Sequence, residues 1–158
     1  MIVPAYNEAA RIEPTLRATT AWLARQSFTS EVIVVDDGST DATRAVVSAV
    51  PDVRLVESSP NRGKGYVVRA GMLAARGRLR LFMDADNATP ICELPRLMAA
   101  LERGADIAIG SRHAPGAEQT VKQPWFRRAW SRATNRVIQA CLVGGIRDTQ
   151  CGFKLFDG

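Results

Sequence analysis

The 158-residue sequence predicts an α/β fold in which a sheet of parallel strands is connected by crossover helices. Two observations predict it. Short apolar runs alternate with segments whose apolar residues recur at helical spacing, and the runs are continuous rather than alternating, as in strands covered on both faces. A third observation concerns function: three of the runs end in polar loops, at the strand ends where open α/β sheets bind ligands.

Met1–Val3 reads as the end of a first strand, followed by a loop, Pro4-Ala5-Tyr6-Asn7-Glu8. Ile12, Leu16, Thr20 and Leu23 keep helical spacing, with Pro14 tolerated in the first turn of that helix. Glu31–Val35 is a β-branched run and predicts the second strand. Asp36-Asp37-Gly38-Ser39-Thr40-Asp41 is dense in turn and cap residues and precedes a helix through Ala45, Val46 and Val50. The third strand, Val53–Glu57, leads through Asn61-Arg62-Gly63-Lys64-Gly65 to a helix from about Tyr66 to Arg76. Leu79–Met83 is the fourth strand, and Pro90 with Pro95 brackets the start of a helix carrying Leu97, Met98 and Leu101. A fifth strand spans Asp106–Gly110. From Pro124, Phe126, Trp130, Ala133, Val137 and Cys141 line one helical face beside an i, i+4 stripe of Arg128, Arg132 and Arg136. The remainder, Ile146–Lys154, is polar and turn-rich, and the absence of a closing helix before Gly158 suggests truncation at the C-terminus.

Length fits a single domain over residues 1–158. A hydrophobic fraction of 46% with 23% charged residues is that of an ordinary globular chain and excludes disorder. No run approaches eighteen apolar residues and the N-terminus lacks the regions of a signal peptide, so a cytoplasmic location is expected by default. Cys92, Cys141 and Cys151 match no metal pattern and are expected as reduced, mostly buried thiols. Between Gln119 and Gly145 stand Lys122, Arg127, Arg128, Arg132 and Arg136 without an acid, which points to an anionic partner. An apolar stripe flanked by arginines suits the surface of a membrane. The competing reading is a helix that packs its apolar side on the sheet and solvates its basic side.

The fourth strand ends in Asp84-Ala85-Asp86. Alternation along a strand sends both carboxylates the same way, and two hard oxygen donors at that spacing suit Mg²⁺ or Mn²⁺, which complete their shells with water and substrate phosphate. An isolated D-x-D is also a common strand end with an Asx turn, so the other loops must carry weight. On one sheet edge, the acids of the first two loops suit a nucleoside, while Arg62, Lys64 and the amides around Gly63 and Gly65 suit a diphosphate. Two rival phosphate motifs fail. Ser58 stands where a P-loop needs its first glycine, and Gly63-Lys64-Gly65 supplies only two glycines of a dinucleotide fingerprint.

Together these motifs resemble the family 2 inverting glycosyltransferases of the GT-A fold. Val3–Glu8, Val34–Asp41 and Asp84–Asp86 look like its three signature blocks, in order. Asn61–Gly65, Gly110-Ser111-Arg112 and Arg147–Lys154 narrow the resemblance to the dolichyl-phosphate β-glucosyltransferase-like branch, with the polyprenyl-phosphate mannose synthases, which use GDP-mannose, as neighbours. The resemblance implies a Rossmann-like nucleotide-sugar-binding sheet with flanking helices. It implies that Pro4, Tyr6, Glu8, Val35, Asp36 and Asp37 bind the nucleoside, with Arg62, Lys64, Asp84 and Ala85 also on the nucleotide sugar. Asp84 and Asp86 would hold the metal, Asp86 as its main ligand, and Arg112, Arg132 and Arg147 the acceptor phosphate. Asp86, Arg112 and Asp148 are the residues it implies for catalysis. Asn87 stands where Gly or Leu is expected after the D-x-D, and Ala88 lacks a polar side chain found in the mannose branch, which leans toward glucose.

The reaction so implied moves glucose from UDP-glucose to a dolichyl or polyprenyl phosphate with inversion, on a membrane surface at the cytoplasmic face, with no nucleic acid as partner. A phosphate monoester, with a second pKa near about 6, is largely a dianion at neutral pH, so Asp148 is not needed as a strong base for that acceptor. A reading from another class is a nucleotide-sugar-binding module or fragment without turnover.

Overall fold

A computed structural model of the chain describes residues 1–111 and 151–158. The chain divides into two compact units, Met1–Ala108 with Gly152–Gly158, and Ile109–Cys151. Among the described residues the elements run β1 (Ile2–Ala5), α1 (Ile12–Leu23), β2 (Val32–Asp36), α2 (Thr43–Ser48), β3 (Val53–Glu57), α3 (Lys64–Ala74), β4 (Leu79–Met83), α4 (Leu94–Glu102), β5 (Ile107–Ile109) and β6 (Phe153–Asp157). The sheet order is β3-β2-β1-β4-β6-β5.

β1 pairs in parallel with β2 and β4, and β2 with β3, so β1, β2 and β4 end at the same sheet edge. All of β1 and β2 is buried, as the unbroken apolar runs require. Their two faces carry separate cores. Val3, Ala5, Val32 and Val34 pack with Ile12, Leu16 and Leu23 of α1 and Val47 of α2, whereas Ile2, Ile33 and Val35 pack with Val67 of α3.

The last strand departs from the expected pattern. β6 lies antiparallel to β4, with Met83 opposite Phe153 and Leu79 opposite Asp157, so the sheet is mixed rather than parallel. Phe153 and Leu155 are buried while Lys154 and Phe156 are half-buried, a period of two over only a few residues. The turn residues that precede this stretch hid it as a loop. β1 also runs two residues further than expected, so Pro4 and Ala5 belong to the strand.

On α1 the buried face is Ile12, Thr15, Leu16, Thr19 and Leu23, with Thr20 half-buried and donating to the Leu16 carbonyl at 3.0 Å. Two buried threonines thus stand where periodicity of apolar residues alone placed one. Of the thiols, Cys151 is buried but Cys92 is exposed, against the expectation of burial; Cys141 lies outside the described residues.

α3 approaches the sheet closely at Gly71. A Cβ there would meet Ile2 Cγ2 at 2.4 Å and Val35 Cγ2 at 2.9 Å. Gly71→Ala gains up to about 1 kcal/mol of helix propensity, but forced contacts in a packed core cost about 1–3 kcal/mol. At 2.4 Å the clash wins. The substitution is expected to lower unfolding stability by about 1–2 kcal/mol in urea titration, and a raised midpoint would show that α3 lifts without cost.

Glu31, at the opposite sheet edge, supplies a pH-dependent contribution. Its Oε1 accepts the Arg76 amide at 2.6 Å, and this bond is the largest cause holding its pKa below the ordinary 4.5. A depressed carboxylate stabilises the fold above the ordinary value, and the contribution is lost as pH falls through the folded-state value. Acid titration of wild type and Glu31→Gln is therefore expected to show the steeper loss of stability below pH 4.5 in wild type, and parallel curves would contradict it.

Candidate active site

At the shared edge of β1, β2 and β4 a cleft of about 470 Å³ is lined by Pro4, Ala5, Tyr6, Glu8, Arg11, Asp37, Asn61, Gly63, Lys64, Val67, Asp84, Ala85 and Asp86. Residues from four separate sequence blocks meet there. Of those expected on the nucleotide sugar, Pro4, Tyr6, Glu8, Asp37, Lys64, Asp84 and Ala85 line it, together with Asp86.

Val35 and Asp36 do not reach it, and strand alternation is the reason. Val35 is fully buried beneath α3. Asp36 faces α2, also fully buried, and its Oδ2 accepts from the Ser39 amide at 3.0 Å and Arg44 Nε at 2.7 Å. Arg62 turns outward, 4.7 Å above the Tyr66 ring, and donates to the Tyr66 hydroxyl at 3.0 Å. Arg112, Arg132, Arg147 and Asp148 lie outside the described residues, as does the basic helix from Pro124.

The Asp37 carboxylate ties β2 to the start of α3. Oδ1 accepts the Arg62 amide and Oδ2 the Gly63 amide, both at 2.8 Å, and the residue is 3% exposed. A buried carboxylate requires such donors. Gly63 begins the helix with φ +86°, a left-handed conformation open to glycine at no steric cost. The helix therefore starts at Lys64, two residues earlier than periodicity suggested, and Lys64 Nζ reaches Asp84 Oδ1 at 2.6 Å.

The first two loops are also knitted together. The Asn7 amide donates to Ser39 Oγ at 3.0 Å, Asn7 Oδ1 accepts the Thr40 amide at 2.9 Å, and the Glu8 amide donates to Thr43 Oγ1 at 2.8 Å. Asp41 accepts from the Thr43 amide at 2.9 Å and from its hydroxyl, and the hydroxyl is the largest cause lowering the Asp41 pKa. Beneath the D-x-D, Thr15 Oγ1 of α1 donates to the Ala85 carbonyl at 2.9 Å. Asp86 Oδ1 accepts the Ala88 amide at 3.0 Å, an Asx turn, and Asn87 takes φ +54°. That conformation accounts for Asn after the D-x-D, because Asn and Gly tolerate it best.

Arg11 was not anticipated. It pairs with Glu8 one helical turn away, which raises its pKa, with a smaller coulombic contribution from Asp86. The available signal was the i, i+3 spacing to Glu8. Around the cleft, Glu8, Asp37, Asp84 and Asp86 stand against Arg11 and Lys64, an excess of two negative charges. That excess and the hard carboxylate oxygens of Asp84 and Asp86 fit one divalent cation. Among the described residues no group of three or more His, Cys, Asp or Glu converges as a metal cluster.

The Asp37 bonds generate a prediction. Asp37→Asn replaces one acceptor by an amide NH₂ that cannot receive an N–H, leaving a backbone donor unpaired at a cost of about 1–3 kcal/mol. Urea unfolding is expected to show that loss. A change under about 0.5 kcal/mol, within the range of ordinary surface substitutions, would show that the loop from Asn61 to Gly63 holds without it.

Comparison with known proteins agrees with this architecture. A family model described as "Glycosyl transferase family 2" matches residues 1–157. The chain is 43% identical to dolichyl-phosphate beta-glucosyltransferase ALG5C of Trichomonas vaginalis, covering 98% of this chain and 50% of the relative. It is 43% identical to the dolichyl-phosphate beta-glucosyltransferase of Drosophila melanogaster, covering 99% and 53%, and 35% identical to that of Homo sapiens, covering 99% and 53%. The chain thus spans about half the length of these curated relatives. Among solved structures, glucosyl-3-phosphoglycerate synthase from Mycobacterium tuberculosis, in complex with Mn²⁺, UDP-glucose and phosphoglyceric acid, superposes with a TM-score of 0.72 at 19% identity, covering 99% of this chain and 55% of that one. The mixed sheet and its flanking helices are those of the GT-A fold, and the chain belongs to glycosyl transferase family 2.

Proposed function

We propose that this chain acts as an inverting glucosyltransferase that moves glucose from UDP-glucose to dolichyl phosphate or a related polyprenyl phosphate. The observation that carries the reading is the meeting of Tyr6, Glu8, Asp37, Lys64, Asp84 and Asp86 around one cleft. Relatives named dolichyl-phosphate beta-glucosyltransferase, 33–43% identical over nearly the whole chain, support glucose over mannose.

In this reading the loop at Tyr6 and the neighbourhood of Asp37 receive the nucleoside. Asp84 and Asp86 hold Mg²⁺ or Mn²⁺, which when bound stabilises negative charge on the departing diphosphate. Lys64, already 2.6 Å from Asp84, adds positive potential beside those oxygens. Glu8 and Arg11, both on the lining of the cleft, hold each other by an ion pair. The acceptor phosphate falls to Arg112, Arg132 and Arg147, whose cationic side chains would offset its repulsion of the donor. Because that acceptor is already largely ionised near neutral pH, Asp148 orients rather than deprotonates. No helix among the described residues is long and apolar enough to cross a membrane; the arginines from Arg128 to Arg136 suit peripheral attachment at the cytoplasmic face.

One second reading has an observation in its favour. Spanning about half the length of its relatives, the chain also fits a module that binds the nucleotide sugar without transfer. Calorimetry with UDP and Mn²⁺, beside transfer of labelled glucose from UDP-glucose to dolichyl phosphate, separates the two. The proposal expects both binding and transfer, binding alone supports the module, and neither rejects both. Asp86→Asn is expected to weaken UDP binding in Mn²⁺ at least about tenfold, the equivalent of about 1.4 kcal/mol. Unchanged affinity, or UDP binding indifferent to a chelator, would reject Asp86 as the metal ligand.

A further inference from the structure

Gly152 stands directly across the sheet from Asp84. The antiparallel register pairs Met83 with Phe153, so the next pair is Asp84 with Gly152, and the Asp84 amide donates to the Gly152 carbonyl at 2.9 Å. Opposed residues on adjacent strands present their Cβ atoms to the same face, about 4.5–5.5 Å apart. The Asp84 carboxylate leans into the space this creates. A Cβ on residue 152 would lie 1.7 Å from Asp84 Oδ2, 2.2 Å from Cγ and 2.8 Å from Oδ1.

Backbone conformation does not explain a glycine here. The left-handed glycines among the described residues are Gly38, Gly63 and Gly104, and Gly152 is not one of them. Its φ is open to any residue, so what Gly152 uniquely provides is room. The atoms met are the whole carboxyl group of a short side chain, whose Oδ1 accepts from Lys64 Nζ at 2.6 Å. A Cβ 2.2 Å from Asp84 Cγ is cleared only by moving Cγ itself, and Cγ moves through χ1, which exchanges one staggered rotamer for another and takes the carboxylate from its place facing Lys64.

We infer that Gly152 is a positioning residue of the donor site: its missing side chain is the space in which the Asp84 carboxylate sits, facing Lys64 and the cleft. This rests on the reading of Asp84 as a ligand of the donor's metal and diphosphate. It gives a role to the glycine of the Arg147–Lys154 block and makes the residue that leads into β6, which does not itself line the cleft, a determinant of donor binding.

A double-mutant cycle tests it with two readouts on the whole chain. Gly152→Ala, Asp84→Ala and the double variant are compared with wild type for thermal midpoint, and for affinity toward UDP in the presence of Mn²⁺. Removing the carboxylate removes what the methyl strikes. Gly152→Ala is therefore expected to lower the midpoint and to weaken Mn²⁺–UDP binding about tenfold in wild type, yet to change neither in the Asp84→Ala background. Additive effects in the cycle would overturn the inference. Should Gly152→Ala fail to fold, recovery of folding in the double variant upholds the steric coupling, and failure of both overturns it. The donor-site reading fails separately: if Asp84→Ala alone retains full Mn²⁺–UDP affinity, Asp84 is no ligand, whatever the thermal cycle shows.

Discussion

The carboxylate of Asp37 is the joint on which the cleft is assembled. Buried to 3% exposure, it satisfies two consecutive amides, those of Arg62 and Gly63, and so fixes where α3 begins. With the helix started at Lys64, the ammonium reaches across to Asp84 at the end of β4. One acid at the tip of β2 thereby sets the electrostatic surroundings of another at the tip of β4. The connection is short because β1, between those strands, contributes Pro4 and Ala5 to the same wall.

Charge is distributed with the same economy. Each acid of the Asp84-Ala85-Asp86 motif has a cation in its neighbourhood, Lys64 for Asp84 and Arg11 for Asp86. Arg11 is held in turn by Glu8. The motif is supported from below by a buried hydroxyl, since Thr15 donates to the Ala85 carbonyl. It is supported from the side by the residue that precedes β6, through the bond from the Asp84 amide to the Gly152 carbonyl. Helix, strand and loop thus each restrain one part of a three-residue segment, which is how a site is kept on rigid elements rather than on a free loop.

Much of this was legible in the chain. Apolar runs located β1 and β2 because burial on both faces demands unbroken runs, and the acids at the strand ends pointed to one sheet edge because parallel strands end together. The D-x-D, Tyr6, Glu8, Asp37 and Lys64 were all identifiable. What escaped was interaction between segments distant in sequence. Thr15 reads as a polar interruption of a helix until Ala85 is placed against it. Asp36 looks equivalent to Asp37 in a run of loop residues, and only the pleat buries it against Ser39 and Arg44 while Val35 enters the core beneath α3. β6 was hidden because two buried residues in five carry too little periodicity to stand out from a turn-rich neighbourhood. Gly152, one residue before that strand, carries no mark in sequence of the carboxylate it faces.

The proposed function requires a divalent cation and a nucleoside diphosphate to share the cleft at the ends of β1, β2 and β4. Mn²⁺ broadens nearby amide resonances, so NMR spectra of the 17.2 kDa chain with UDP, recorded with Mn²⁺ and then with Mg²⁺, locate the ion directly. With the ion in this cleft, the Tyr6, Gly63, Ala85 and Asp86 amide signals are expected to be lost selectively with Mn²⁺ and to return with Mg²⁺. Broadening centred elsewhere, with those four signals intact, would contradict it.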